Sequence, residues 1–122
     1  MIVTLTLNPA IDKSTHIERL IPEKKMRCAS MQIDAGGGGI NISKAVHELG
    51  GKSVAVFTCG GLNGSLLTQL LLEKGVPIQP VEIVGDTRES FVVNEQCSNK
   101  QYRFVLPGPL LTDEELERLE QT

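Results

Sequence analysis

The sequence predicts an α/β fold: a parallel central sheet in a three-layer αβα arrangement, with a small separate β-sheet. Three observations point there. Strand-like and helix-like apolar runs alternate from Ile2 to Val84, the rhythm of βαβ units. Four consecutive glycines, Gly36 to Gly39, stand where a strand-like run gives way to a helical one. Two strand-rich stretches, within about residues 13–35 and 88–106, interrupt the rhythm and can leave the main sheet.

Each element has its own warrant. Ile2 to Leu7 is β-rich and stops at Asn8-Pro9, a strand followed by a turn. Ser14 to Ile21 alternates loosely as an exposed strand, and Pro22 to Lys25 reads as a basic turn. Ile42, Ala45, Val46 and Leu49 recur at helical spacing and predict a one-faced helix stopped by Gly50-Gly51. Ser53 to Thr58 is apolar enough to be a strand buried on both faces. Asn63 is the predicted cap of a second helix carrying Leu66, Leu67, Leu70 and Leu71. Pro77 to Val84 is a further strand. Ser90 to Val93 and Gln101 to Val105 flank a polar turn. Thr112-Asp113-Glu114-Glu115 is a capping box opening a last helix. So few parallel strands leave an unpaired edge and an incompletely covered face, so the sequence reads as the first part of a longer protein.

Composition narrows the function. The chain has 122 residues, 40% hydrophobic and 22% charged, an ordinary globular balance. It is 3% aromatic with no Trp, which disfavours stacked nucleic-acid readout. The net charge is −3, and the last ten residues alone sum to −4. Neither part suits a nucleic acid or a membrane surface. Cys28, Cys59 and Cys97 are odd in number and lack metal-ligand spacing, so they read as reduced thiols in a cytoplasmic protein.

The glycine run is the strongest candidate for a site. Glycines at a helix start let main-chain N–H groups approach a ligand, and the positive helix end suits an anion or a ring of hydroxyls. A dinucleotide fingerprint starting at Gly36 needs glycine at position 41, which is Asn41. Gly51-Lys52-Ser53 resembles the end of a phosphate loop, but that pattern needs glycine at position 46, which is Val46. Asp12 follows the first strand and its turn, where ligands of open α/β sheets bind, and a carboxylate accepts hydrogen bonds from adjacent sugar hydroxyls. Asn41 offers an acceptor and two donors. Arg88, Arg103 and Lys25 can oppose a phosphate. His16 and His47 read as surface groups.

Taken together, Thr4 to Asp12, Gly36 to Asn41, Gly60-Gly61-x-x-Gly64, Thr87-Arg88 and Tyr102 to Pro109 resemble the ribokinase-like PfkB carbohydrate kinases. The resemblance is to the phosphofructokinase and tagatose-6-phosphate kinase branch and runs the length of the chain. It implies a homodimeric, ATP- and Mg2+-dependent kinase whose small β-sheet is a lid that also pairs subunits. Asp12, Gly37, Gly38, Gly39 and Asn41 would line the sugar. Arg88 would meet the substrate phosphate, and Arg103 is the weaker candidate for the same anion. Lys25 would lie near nucleotide held by the partner subunit. Many members carry lysine where this chain has Gly38. That difference and the neighbouring segments favour fructose 6-phosphate over fructose 1-phosphate or tagatose 6-phosphate. The family's catalytic aspartate and most of its ATP pocket lie beyond this segment, so the resemblance implies no catalytic residue here and no activity from these residues alone. The rival is a non-enzymatic sugar-phosphate binding or dimerisation module.

Overall fold

The computed structural model describes residues 1–122 as two sheets and three helices. In chain order they are β1 (Ile2–Thr6), β2 (Ala10–Ile17), β3 (Gln32–Gly36), α1 (Gly38–Glu48), β4 (Ser53–Cys59), α2 (Gly61–Glu73), β5 (Ile78–Glu82), β6 (Arg88–Glu95), β7 (Lys100–Val105) and α3 (Asp113–Glu120). The main sheet has the order β1-β4-β5, all parallel, with Ile2 opposite Ser53 and Ala55 opposite Ile78. The small sheet has the order β3-β2-β6-β7. There β2 runs antiparallel to β3 and parallel to β6, and β6 antiparallel to β7.

The core sits between the main sheet and the helices. Ala55, Phe57 and Cys59 alternate along β4 toward one face, where they cluster with Ile40, Leu67 and Leu71. Val56 turns the other way and meets Val81 and Leu119 of α3. Burial of β4 on both faces matches its apolar run. Ile11 and Ala35, at the base of the small sheet, join the larger cluster and anchor that sheet to the core.

Four local expectations are corrected. First, the second strand spans Ala10–Ile17 rather than beginning at Ser14, because Ala10 already pairs with both Gly36 and Arg88. The small sheet therefore starts a few residues before the predicted stretch, and Asp12 lies within it. Second, the cap of α2 is Gly60, not Asn63. The Asn63 amide instead donates to the Thr87 carbonyl at 3.0 Å. Third, Pro77 to Val84 shortens to Ile78–Glu82.

The fourth correction concerns α1. Ile42 and Leu49 are 55% and 88% exposed, while Ile40 and Ser43 are fully buried. The helical period is as expected, but the face that docks is a different one. The reason lies on β1, whose buried side chains are Thr4 and Thr6. Thr4 and Ser43 share a 2.7 Å hydrogen bond, and Thr6 Oγ1 accepts from the Ile40 N–H at 3.0 Å. Buried hydroxyls must find partners, and these two draw the small face of α1 onto the sheet. Val3, Leu5 and Leu7 on the opposite side of β1 stay exposed, as the predicted uncovered face requires.

Candidate substrate-binding site

Pleating sorts the small sheet into two chemical faces. Residues directly opposite one another share a face, and faces alternate along each strand. One row across the strands is Asp34, Asp12, Ser90 and Val105, and the next on that face is Gln32, Ser14, Val92 and Arg103. The intervening row, on the other face, is Ile33, Lys13, Phe91 and Phe104. The first face is polar and the second largely apolar, with Phe91 and Phe104 stacked at 5.2 Å between ring centroids.

Asp12 is the centre of the polar face. Its carboxylate lies against Gly36, where any Cβ would overlap it. Ser90 Oγ donates to Asp12 Oδ1 at 2.7 Å. A cleft of about 130 Å3 opens beside it, lined among others by Asp12, Asp34, Ser90 and Arg103. Carboxylates gather on β2 and β3, and a guanidinium stands two strands away on β7. Strand spacing puts them on the order of 10 Å apart, about the span of a hexose monophosphate. A polyol end and an anionic end can thus be met on one surface.

The glycine run forms the inner wall. Gly37 caps α1 at φ 132°, a conformation that side chains resist, and a Cβ there would press on Thr6 and Pro9. A Cβ on Gly39 would strike Thr6 Oγ1 and the Leu5 carbonyl. Gly38 differs: a Cβ there meets nothing within 4 Å. Helix geometry leaves the Gly38 and Gly39 N–H groups without intrahelical acceptors. Asn41 sits exposed in the first turn of the same helix.

The remaining candidates lie outside the lining of this cleft. Arg88 is placed at the base of the small sheet. Its Nε and Nη2 donate to the Asn8 carbonyl at 3.3 and 3.1 Å, and Nη1 to the Leu106 carbonyl at 3.4 Å. The Asn8 carbonyl belongs to the turn from β1 to β2, and the Leu106 carbonyl to the stretch that leaves β7. Five N–H groups minus those three leave two for an anion. Lys25 lies exposed in the stretch between β2 and β3, away from the cleft lining. Sequence reasoning missed Asp34, Ser14 and Ser90. The register of strands distant in sequence brings them to Asp12, and no local motif announces it.

A larger groove of about 630 Å3 runs along α2 and β5, with Cys59, Thr68, Gln69 and Glu82 in its lining. No lysine or arginine lines it. Burial pushes the Cys59 thiol upward, a hydrogen bond with Thr68 opposes this, and Glu82 adds to it. Such a thiol is a poor nucleophile. No group of three or more His, Cys, Asp or Glu side chains is placed to hold a metal.

A parallel αβ core joined to a β-sheet that carries an aspartate beside a glycine-led helix defines the class: a ribokinase-like α/β fold. A putative ribokinase from Agrobacterium tumefaciens shares it over 87% of this chain and 36% of its own, at 15% identity and a TM-score of 0.72. The chain belongs to the pfkB family of carbohydrate kinases, whose description matches residues 1–121. It is 54% identical over 117 residues to ATP-dependent 6-phosphofructokinase isozyme 2 of Mycobacterium tuberculosis H37Rv, covering 96% of this chain and 34% of the relative. It is 42% identical over 120 residues to the isozyme 2 of Escherichia coli K12, covering 98% and 39%. The E. coli phosphofructokinase-2 in complex with fructose-6-phosphate superposes with a TM-score of 0.93 over 98% of this chain and 40% of that one. A tetrameric inhibited form of that enzyme matches at a TM-score of 0.90, over 98% of this chain and 40% of that one, at 42% identity. The chain thus spans about a third to two fifths of the length of these relatives.

Proposed function

We propose that the protein takes part in ATP-dependent phosphorylation of fructose 6-phosphate to fructose 1,6-bisphosphate, with these residues forming the acceptor site and lid. The observation that carries the reading is the Asp12 carboxylate, held between Gly36 and Ser90 on a polar face that ends at Arg103. Asp12 accepts hydrogen bonds from sugar hydroxyls. The free N–H groups of Gly38 and Gly39, with Gly37 and Asn41, line the sugar. Arg88 and Arg103 oppose its phosphate. ATP and Mg2+ serve the family generally, and on this reading the donor side belongs mainly to residues outside this segment. Phosphoryl transfer needs charge stabilisation around the transferred group, so these 122 residues alone are expected to show no turnover.

The partner we propose is a second copy of the chain, meeting the apolar lid face on which Ile33, Tyr102 and Phe104 are 41%, 38% and 47% exposed. Lys25 then reaches toward nucleotide on the partner. A cytoplasmic setting fits three cysteines that are all free. No helix is long and apolar enough to cross a membrane.

Steady-state kinetics of the full-length gene product tests the reading. kcat/KM should be highest for fructose 6-phosphate against fructose 1-phosphate and tagatose 6-phosphate. Arg88→Ala should raise the sugar-phosphate KM more than tenfold, because charge-assisted hydrogen bonds contribute about 1.5–3 kcal/mol. An unchanged KM removes Arg88 from the site. Phe104→Asp should convert the dimer to monomer in sedimentation, and an unaltered mass moves the interface elsewhere.

A further inference from the structure

The hydrogen bond from Ser90 to Asp12 does more than satisfy a hydroxyl. An exposed aspartate turns freely about its side-chain torsions, and the terminal torsion is broad. Asp12 is exposed, yet its carboxylate is restrained on two sides. Gly36 lies beneath it, and Ser90 Oγ donates to Oδ1 at 2.7 Å. The parallel register of β6 on β2 sets Ser90 directly opposite Asp12. A carboxylate has about four acceptor directions, so one bond from Ser90 leaves the others for a ligand.

We propose that Ser90 is a positioning residue for the acceptor sugar, holding the Asp12 carboxylate in the plane that accepts two adjacent hydroxyls. The inference rests on the reading of Asp12 as the sugar-gripping group. Arg88 precedes Ser90 by two residues, on the same side of the same strand. One strand therefore carries both the cation proposed for the phosphate and the hydroxyl that aligns the carboxylate. The sugar grip on β2 is thus aligned by the same strand that carries the phosphate grip, and the pairing of β2 with β6 presets their spacing before binding.

The test is steady-state kinetics of the full-length gene product with fructose 6-phosphate at saturating ATP. The variants are Ser90→Ala, Ser90→Thr, Asp12→Asn and the Asp12→Asn/Ser90→Ala pair, each with its melting temperature. Ser90→Ala should raise KM about tenfold with kcat within about twofold, since a grip on the non-reacting hydroxyls acts on binding. Ser90→Thr, which keeps the hydroxyl on a strand-compatible side chain, should recover KM to within about threefold. In the Asp12→Asn background, Ser90→Ala should change KM less than about twofold, because the two act through one contact. If Asp12→Asn raises KM but Ser90→Ala does not, the inference fails while the reading of Asp12 stands. A full tenfold effect of Ser90→Ala in the Asp12→Asn background also overturns it. So does a KM rise that follows a fall in melting temperature and that threonine does not restore. An unchanged KM in Asp12→Asn overturns both.

Discussion

Two helices in this fold begin on glycine, and neither glycine cap offers its helix a side chain. Both are capped from a distance by threonine. Thr6 Oγ1 takes the Ile40 N–H of α1 at 3.0 Å, and Thr87 Oγ1 takes the Gly60 N–H ahead of α2 at 3.0 Å. What lies over the glycines separates them. At α2, a Cβ on Gly60 would overlap the Gly85 carbonyl, and one on Gly61 would overlap Asp86. The loop after β5 closes that turn. At α1, a Cβ on Gly38 meets nothing within 4 Å. Both glycines at the start of α2 thus serve close packing, whereas at α1 Gly37 and Gly39 do so and Gly38 alone is left open. The sequence GG alone does not tell the two apart.

The largest effect should come from filling the closed turn. Gly60→Ala sets a methyl against backbone that cannot move aside, and denaturant unfolding should show a loss of about 3 kcal/mol. A loss under about 1 kcal/mol would mean Gly60 is as open as Gly38. Thr6→Val removes the acceptor of a buried N–H and should cost about 1–2 kcal/mol by the same measurement.

The cover over α2 depends in turn on Glu115. Its Oε2 accepts from the Val84 N–H at 2.7 Å and its Oε1 from the Thr112 N–H at 2.9 Å. The bond from the Thr112 backbone, then that from Val84, holds this carboxyl below the usual carboxylate range. A carboxyl whose folded pKa is depressed stabilises the fold above its unfolded pKa, about 4.3, and loses that contribution as pH falls through the folded value. The stability gap between the wild type and Glu115→Gln should therefore narrow on acidification below about pH 4. A gap independent of pH would detach Glu115 from the cover. The smallest stability effect should be that of Gly38→Ala. It should change stability by no more than about 1 kcal/mol, with helix propensity acting in its favour, while raising the KM for the sugar phosphate. Stability falling as far as in Gly60→Ala would erase the distinction between the two turns.

Much of this was legible because it was local. The strand periods, the glycine-led helix, the capping box at Thr112 and the break at Gly50-Gly51 all lie within one element or its edge. The box is present in full, with Thr112 and Glu115 bonding reciprocally. What escaped was set by partners distant in sequence. The face of α1 that docks was decided by Thr4 and Thr6 more than thirty residues earlier. The cap of α2 was decided by Thr87 from beyond β5. At the candidate site, Asp12 and the glycine run showed themselves by composition and position, whereas Ser90 and Asp34 became visible only through strand register.

The seat of β2 between β3 and β6 also orders events in time. Asp12 meets Asp34 across a connection of some twenty residues, but Ser90 is 78 residues away. Closing the longer loop carries the greater entropic cost and is slower. The pairing of β2 with β3 and of β1 with β4 can precede it, and β6 then arrives on a strand whose register is already set. A slip of one residue at that late step would turn Arg88 and Ser90 to the apolar face together. Refolding followed by sugar-phosphate binding should therefore lag behind refolding followed by helix signal, because the acceptor grip is among the last parts of the chain to assemble.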